Sequence, residues 1–330
     1  MLYEFAITPD VFDGAMINSN PELGRILIQI LRQLSINGML ADLHKGAWKK
    51  EVRERIGFSD SATGLKVERD VILQLLNRLD DFKRLVRHRR SSSKPMEDVD
   101  WLNIAFESHQ EIPFDAIILG QKLLMTCKQN DPSLNDPALI ELDTQVLNTR
   151  IWANLSSTQS ITLTKSDSDY QKYLAPILRH AKMLHLVDPY IRFDSSRVID
   201  ICAKLMGKRS HDVLFGTIHI HTGNPNSESV ATLYDTWTHR LQPLANRYKH
   251  TFNWYLWKKP RTEPERFHNR YILTDQCGIF SGDSFECMNY APSSNDWALL
   301  NEERRKERLR DFDPENSPFK LLKDAEIKPS

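Results

Sequence analysis

The chain has 330 residues, of which 40% are hydrophobic and 27% charged, which is typical of a globular protein and sufficient for two domains. Its 44 Lys and Arg residues balance 44 Asp and Glu residues, so general electrostatic coating of nucleic acid is excluded, whereas a local basic patch is not. Four cysteines without a CxxC pair disfavour a disulfide framework or structural zinc. Because no apolar run has transmembrane length and no leader pattern opens the chain, we expect a cytoplasmic protein without integral membrane association.

The first half of the chain is predicted to be mainly helical after one short strand. That strand covers residues 2–7, and a helix begins at Asn20-Pro21-Glu22 and ends at Gly38. Further helices are predicted at residues 48–56 and 66–86, with apolar segments at 100–107 and 116–126. The polar stretch 156–169 marks the boundary between a domain of unknown role, 1–155, and a second domain, 156–330.

A basic stretch follows the predicted helix at residues 66–86. It includes Arg87, Arg89 and Arg90 and continues into a serine-rich loop. Charge runs are usually solvated, and cations also suit the end of a helix, so a solvated helix end is the favoured interpretation. The alternative is a nucleic-acid contact in which these three arginines bind phosphates.

Three acidic residues in the first half offer a second alternative. Asp10, Glu51 and Asp115 would be ligands for a divalent metal, and a first strand that ends at an acid loosely resembles PIN-type nucleases. The acids lie in no tight motif, however, and such residues are normally surface or capping residues. We therefore predict no metal and no other cofactor.

The second half alternates strands with helices, which predicts an α/β domain with parallel pairing and helices packed on the sheet. The predicted order is helix 170–180, strand 183–191, helix 196–206, strand 212–221, helix 227–248 and strand 251–257. A hairpin then follows. Beyond it, we predict a charged helix at residues 301–313 and a polar, loop-like tail from residue 314 onward.

Two side-chain pairs in this half have functional alternatives. His219 and His221 share one face of a strand, where they would bind zinc or form a hydrogen-bonded core; the core is favoured because no third ligand lies at a suitable spacing. Trp254 and Trp257, beside the lysines at 258–259, would stack on bases, but aromatic residues on a strand usually belong to the core.

One stretch carries a recognisable chemical pattern, His268-x-Arg270-x-x-x-x-Asp275, followed by Gly282. Residues at alternate positions of a strand share a face, so His268 and Arg270 are expected to lie side by side. A guanidinium grips two phosphate oxygens, and an imidazole can attack phosphorus or transfer a proton. This pair therefore predicts a phosphate-handling site.

The pattern resembles the HxKxxxxD signature of the phospholipase D superfamily and its trailing GSxN, over residues 170–290. Asp188-Pro189-Tyr190-Ile191-Arg192 resembles one branch more closely, the phospholipase-D-like C-terminal domain of microtubule-interacting and trafficking proteins. The resemblance implies a nucleophilic or acidic His268, a phosphate-holding Arg270, and an Asp275 that orients the imidazole of a partner histidine. It also implies phosphate binding by Arg192 and a hydroxyl from Ser281 or Ser284, with no metal required.

The chain departs from the family pattern at three points. Arg270 stands where the family has lysine, and GSxN has become Gly282-Asp283-Ser284-Phe285, in which Asp283 would repel a phosphate. The motif also occurs once, whereas the family's active site needs two copies, so we expect a homodimer. The related branch in microtubule-interacting and trafficking proteins is regarded as a non-catalytic binder of membrane lipids.

These observations leave two functional hypotheses and a structural alternative. The first is a metal-independent phosphodiesterase, with nuclease activity expected, acting as a homodimer through a phosphohistidine; the resemblance extends this to bacterial antiviral defence. The second is a degenerate module that binds phosphate, nucleic acid or a lipid headgroup, as a sensor or adaptor among partner proteins. In the structural alternative, Arg270 and Asp275 form a local ion pair and His268 caps a strand.

Overall fold

A computed structural model describes residues 2–57, 66–88, 94–130, 136–157, 160–191, 196–208, 216–223, 228–258, 268–285 and 293–330. The chain divides into two compact units, Leu2–Thr158 and Gln159–Ser330. Each unit combines a β-sheet with helices, so the predicted α/β class is confirmed.

The first unit is built on a parallel sheet with strand order β3-β2-β1-β4-β5. Its strands are β1 (Tyr3–Ile7), β2 (Gly38–Asp42), β3 (Leu85–Arg87), β4 (Ala116–Leu119) and β5 (Leu139–Glu141). Its α-helices are α1 (Gly14–Ser19), α2 (Pro21–Asn37), α3 (Leu43–Gly57), α4 (Lys66–Asp81), α5 (Asp98–Glu111), α6 (Gln121–Asn130) and α7 (Arg150–Ser157), with 3₁₀ turns at Pro9–Phe12 and Thr144–Asn148.

Helices dominate the first unit as predicted, but the sequence analysis missed most of its sheet. The predicted helix 66–86 ends at Asp81, and β3 follows at Leu85. The apolar segment 116–126 divides at Gly120 into β4 and α6. All residues of β2 and β4 are buried. A strand that is buried on both faces shows no alternation of apolar and polar residues, which explains why these short runs resembled helix ends.

Gly120, directly after β4, allows the backbone to approach Asp10, which lies shortly after β1, at the carboxyl ends of these two strands. Its backbone N–H donates to Oδ2 of Asp10 at 2.9 Å, and a Cβ built on Gly120 would lie 2.5 Å from that oxygen. Replacing Gly120 with alanine is therefore expected to reduce the free energy of unfolding by about 1–3 kcal/mol, because either the carboxylate or the backbone must move. Urea denaturation measures the loss.

The matched control for this substitution is Gly57→Ala, because a Cβ at Gly57 meets no described atom within 4 Å. In an Asp10→Ala background, Gly120→Ala should reduce the free energy of unfolding much less, because the clashing carboxylate is then absent. Unchanged stability of Gly120→Ala alone would contradict the close approach of Gly120 and Asp10.

The second unit contains a mixed sheet with strand order β13-β9-β8-β7-β10-β11-β12-β6. Its strands are β6 (Ser160–Thr164), β7 (Met183–Val187), β8 (Thr217–Thr222), β9 (Thr251–Lys258), β10 (Arg270–Thr274), β11 (Gly278–Ser281), β12 (Ser294–Leu299) and β13 (Lys320–Ile327). Strands β7, β8 and β9 run parallel, and the other neighbouring strands are antiparallel. The helices are α8 (Asp167–Leu178), α9 (Ser196–Leu205), α10 (Val230–Tyr248) and α11 (Glu302–Asp311).

The predicted alternation of strands and helices in this unit is confirmed, but the predicted loop-like tail is wrong. Residues Lys320–Ile327 form β13, which pairs with β9 at the edge of the sheet. Most of its side chains are exposed, and charged residues are common on edge strands because they discourage further pairing. The polar composition of the tail therefore reflects the position of the strand and not an absence of structure.

The parallel and antiparallel parts of this sheet meet between β7 and β10. Tyr271 pairs with Val187 in antiparallel register, and Arg270 pairs with Ser281 of β11. Continuing the register by one residue places Arg270 next to Asp188, which directly follows β7. In open α/β sheets, ligands bind beyond the carboxyl ends of the parallel strands, and this junction lies at that edge.

Candidate functional site

Asp188 ties together three segments around the strand junction. Its Oδ1 accepts a hydrogen bond from the backbone N–H of Tyr190 at 3.0 Å and lies 3.7 Å from Nε of Arg270. Its Oδ2 accepts from the hydroxyl of Ser284 at 3.3 Å and from the N–H of Phe285 at 3.2 Å. Complete burial raises the pKa of Asp188, and these hydrogen bonds and the Arg270 charge oppose that rise.

Tyr190 holds His268 and Arg270 together. Its hydroxyl forms a short hydrogen bond with Nδ1 of His268, and the two rings lie 5.6 Å apart at an angle of 17°. The guanidinium carbon of Arg270 lies 5.0 Å from the centre of the Tyr190 ring, within the range of a cation–π contact. When Nδ1 carries the imidazole proton and donates it to the Tyr190 oxygen, Nε2 is the nitrogen that keeps a lone pair for phosphoryl transfer.

Lys165 and Asp283 form an ion pair at the same end of the sheet. Nζ of Lys165, directly after β6, lies 2.5 Å from Oδ2 of Asp283. The hydrogen bond from Lys165 is the main cause that lowers the pKa of Asp283, and the charge of Arg270 contributes. The repulsion of a phosphate expected from Asp283 is therefore offset by a neighbouring ammonium group.

The structure brings His268 and Arg270 together as predicted but places Asp275 elsewhere. Asp275 follows the far end of β10, roughly 16 Å along the chain from Arg270 at the rise of an extended strand. Its carboxylate accepts a hydrogen bond from the N–H of Lys182 at 3.1 Å. The structural alternative, in which Arg270 and Asp275 form a local ion pair, is therefore wrong. Asp275 also does not reach His268 of its own chain. Its role toward a partner's histidine stays a prediction.

The two predicted hydroxyl groups are both engaged within the protein. Ser281 is fully buried, and its Oγ lies 2.7 Å from the carbonyl oxygen of Asp283 and 2.9 Å from Oδ1 of Asn295. Its single hydroxyl hydrogen serves one of these acceptors, so Ser281 organises the hairpin and does not present a donor to a ligand. The hydroxyl of Ser284 donates to Asp188. Arg192, the third predicted phosphate ligand, lies outside the described residues.

The predicted nucleic-acid contact is only partly described. Arg87 ends β3 with an exposed side chain, whereas Arg89 and Arg90 lie outside the described residues. Nε of Arg87 lies 3.5 Å from a Cβ built on Gly46, next to a 340 Å³ cavity lined by Gly46, Lys49, Lys50, Arg53 and Glu54. This edge of the first unit is cationic, and nucleic-acid binding there remains a prediction.

The three acids considered as metal ligands do not converge. Asp10 lies beyond the carboxyl end of β1, whereas Asp115 precedes β4 at the opposite edge, where its Oδ2 accepts from the N–H of Glu4 at 2.7 Å. Glu51 pairs with Arg55 at 2.7 Å. A PIN-type metal site on this set of acids is therefore not formed.

His219 and His221 belong to a buried cluster on the sheet face opposite to Arg270. The indole N–H of Trp257 donates to Nδ1 of His221 at 3.1 Å, and Nε2 of His221 lies 2.9 Å from Nδ1 of His185. Because an indole can only donate, a neutral His221 carries its proton on Nε2 and donates it to His185. His219 bonds the hydroxyl of Tyr255 at 3.1 Å. The favoured interpretation of a hydrogen-bonded core is confirmed.

Burial keeps this histidine cluster uncharged. It lowers the pKa of His185 and His221 well below the ordinary value and that of His219 to about 4. Within the described ranges, no group of three or more His, Cys, Asp or Glu residues is arranged to hold a metal ion. Trp254 and Trp257 are also buried, so they are core residues as preferred, and neither is available to stack on a base.

Sequence reasoning missed the residues that support the pair. Asp188 and Tyr190 appeared only as part of a family-like motif, although an acid directly after a buried strand was a usable signal. Lys165 carried no signal, because its partner lies 118 residues away in the sequence.

No protein-family model matches the chain, and no curated protein matches it. Among solved structures, one match is described as "Structure of TrmBL2, an archaeal chromatin protein, shows a novel mode of DNA binding", with 10% identity and a TM-score of 0.23. The match covers 74% of this chain and 82% of that chain. Similarity at this level supports no conclusion about fold or function. No helix within the described ranges is long and apolar enough to cross a membrane.

Proposed function

We propose that the Gln159–Ser330 unit is a metal-independent phosphodiesterase, with nucleic acid as the favoured substrate, that acts as a homodimer. The observation that carries the proposal is the hydrogen bond between the Tyr190 hydroxyl and Nδ1 of His268 beside Arg270, whose guanidinium lies over the Tyr190 ring. An oriented imidazole next to a fixed cation is the minimum required for attack on a phosphodiester.

The reaction would proceed by two displacements. His268, with its proton on Nδ1 donated to the Tyr190 oxygen, attacks phosphorus through Nε2. A P–N bond forms as the P–O bond to the leaving oxygen breaks, and that oxygen takes a proton from the partner's His268. Water then breaks the P–N bond, and its proton passes to the same partner imidazole that gave one up. Arg270 would stabilise the negative charge that builds on the phosphoryl oxygens. A role in bacterial antiviral defence is a broader proposal that rests on the family resemblance.

A second candidate, a phosphate-binding module without turnover, is favoured by a specific observation. Both cations at the site already have carboxylate neighbours, since Arg270 lies by Asp188 and Lys165 by Asp283. The buried hydroxyl of Ser281 is used internally. Such a site would bind a phosphate group of a nucleic acid or a lipid headgroup and pass a signal to partner proteins, with binding that weakens as salt rises.

Hydrolysis of labelled single- and double-stranded DNA and RNA, with EDTA present, distinguishes these candidates. His268→Ala should lower the rate on the order of 10³-fold or more, because the nucleophile is lost. The matched control is His239→Ala, which changes an exposed histidine on α10. Activity that survives in His268→Ala, or that disappears with EDTA, would contradict a metal-independent phosphodiesterase that uses His268. Salt-sensitive binding without turnover, lost in Arg270→Gln, would establish the second candidate.

The homodimer is tested by mixing chains. Wild-type chains are mixed with an equal amount of His268→Ala chains and allowed to reassociate at random. If each site needs two histidines, the mixture should keep about half of the activity that the same quantity of wild-type chains had before mixing. Sedimentation velocity should show a dimer at the same concentration. Full retention of activity, or a monomer with full activity, would contradict a shared site.

A further inference from the structure

We propose that Lys165 is a second phosphate-binding cation of the His268–Arg270 site, and that the Asp283 carboxylate occupies its ammonium group until a phosphate displaces it. This inference rests on the proposed function and adds to it a residue from the β6 end of the sheet. It also gives Asp283 the role of a built-in competitor for the ligand.

The unequal burial of the two partners supports this arrangement. The side chain of Lys165 is 5% exposed, whereas that of Asp283 is 61% exposed. A buried ammonium group is costly unless an anion accompanies it, so Lys165 requires a partner. An exposed carboxylate, in contrast, can rotate into water without disturbing the core. The anion beside Lys165 is therefore exchangeable, while the cation stays in place.

The position of the pair links Lys165 to Arg270. The guanidinium of Arg270 donates from Nη1 to the carbonyl oxygen of Gly282 at 3.2 Å, and Asp283 is the next residue. Both cations thus border one turn after β11, and the charges of both act on Asp283. A Cβ built on Gly282 meets no described atom within 4 Å, so the described structure leaves room beside this turn.

The chemistry of the two anions explains why a phosphate would prevail. A carboxylate offers two oxygens, and one oxygen of Asp283 already accepts the N–H of Ser284 at 2.7 Å. A phosphate group offers more acceptor oxygens in a tetrahedral arrangement, so it can bridge an ammonium and a guanidinium together. The ligand class is therefore a phosphate or phosphodiester, whether it belongs to a nucleic acid or to a lipid headgroup.

The experiment measures binding of inorganic phosphate to the full chain by titration calorimetry in five proteins: wild type, Asp283→Asn, Lys165→Met, the double variant of these two, and Arg270→Gln. Asn keeps an oxygen for the Ser284 N–H, and Met keeps the buried stem of the lysine, so both variants preserve local packing. Asp283→Asn should bind phosphate about tenfold more tightly, because the competing charge is gone. In the Lys165→Met background, the same change should have an effect of less than about twofold.

The outcomes separate this inference from the function on which it rests. If Arg270→Gln abolishes phosphate binding but Asp283→Asn leaves it unchanged, the site stands and the role of Asp283 is overturned. A tenfold gain from Asp283→Asn that persists without Lys165 overturns the role of Lys165. If phosphate binds to none of these proteins, or equally to Arg270→Gln, the proposed function and this inference both fall. Short oligonucleotides and vesicles containing an anionic phospholipid, tested with Asp283→Asn, then identify the source of the phosphate.

Discussion

Lowering the pH from 7 to 5 is expected to reduce the free energy of unfolding of the Gln159–Ser330 unit by roughly 4–6 kcal/mol. Three of its histidines form an uncharged cluster, in which His185 and His221 are buried and His219 is half-buried. The pKa of His219 is lowered to about 4, and the pKa values of His185 and His221 are lowered well below 6.5. Below pH 6.5 the unfolded chain takes up protons that the folded cluster does not accept. Stability is therefore fully present above pH 6.5 and is lost as the pH falls toward the folded-state values.

Other described groups in the unit also affect this pH window, among them His250 and Asp188. His250 is also buried, and its lowered pKa adds to the loss in the same direction. Asp188 acts in the opposite direction, because its raised pKa lets the folded state take up a proton before the unfolded state does. That effect begins as the pH approaches the range of carboxyl groups, so the comparison is made between pH 7 and pH 5.

Hydrogen exchange of β8 (Thr217–Thr222) measures the effect, because this strand carries two of the three histidines. The variant His219→Gln cannot be protonated at this position in this range. Its unfolding should therefore take up about one proton fewer than that of the wild type, and its stability should depend less steeply on pH. His239→Gln, on the exposed face of α10, should behave as the wild type. Equal protection of β8 at both pH values, after correction for intrinsic exchange, would contradict an uncharged cluster.

Replacing Asp188 with alanine is expected to reduce the free energy of unfolding by about 3–5 kcal/mol, the range seen when one partner of a buried ion pair is removed. The change leaves the backbone N–H groups of Tyr190 and Phe285 without their acceptor and removes the anion beside Arg270. Because these contacts also position Tyr190 and the turn after β11, binding of phosphate at Arg270 should weaken as well. Urea denaturation and phosphate titration measure the two effects.

A second substitution separates the charge effect from the hydrogen bonds. Removing Arg270 as well, in Asp188→Ala with Arg270→Met, should recover part of the lost stability, because no unpaired charge is then left at the site. Asp235→Ala, on an exposed part of α10, serves as the control for losing an aspartate. A loss of less than about 0.5 kcal/mol for Asp188→Ala would show that the buried carboxylate does not organise the site.

The elements that could be predicted are those with a periodic pattern. Helices α8, α9 and α10 and strands β7 and β9 show clear spacing of apolar residues, and all five are present in the structure. The parallel strands of the first unit lack that signal because both of their faces are buried, as in β2. Strand β13 lacks it for the opposite reason, since most of its side chains are exposed at a sheet edge.

The candidate site shows the same division between local and distant information. His268 and Arg270 were correctly predicted to lie together, but His268 precedes β10 and is not part of the strand, so it is contact of both side chains with Tyr190 that holds the pair. Asp275 has equally close spacing in sequence but follows the opposite end of β10, because a strand carries its ends apart. The expected phosphate contact of Ser281 was wrong because β12 supplies Asn295 as an internal partner for the hydroxyl.

By itself, the sequence determined the α/β class and the alternation of the second half, because both follow from local periodicity, and it placed a histidine two residues from an arginine. Only the tertiary structure decided which groups surround that pair. Asp188, Tyr190 and Lys165 come from segments about 80–120 residues distant in sequence from their partners. Their convergence depends on strand order and register, which bring together residues that no local spacing connects.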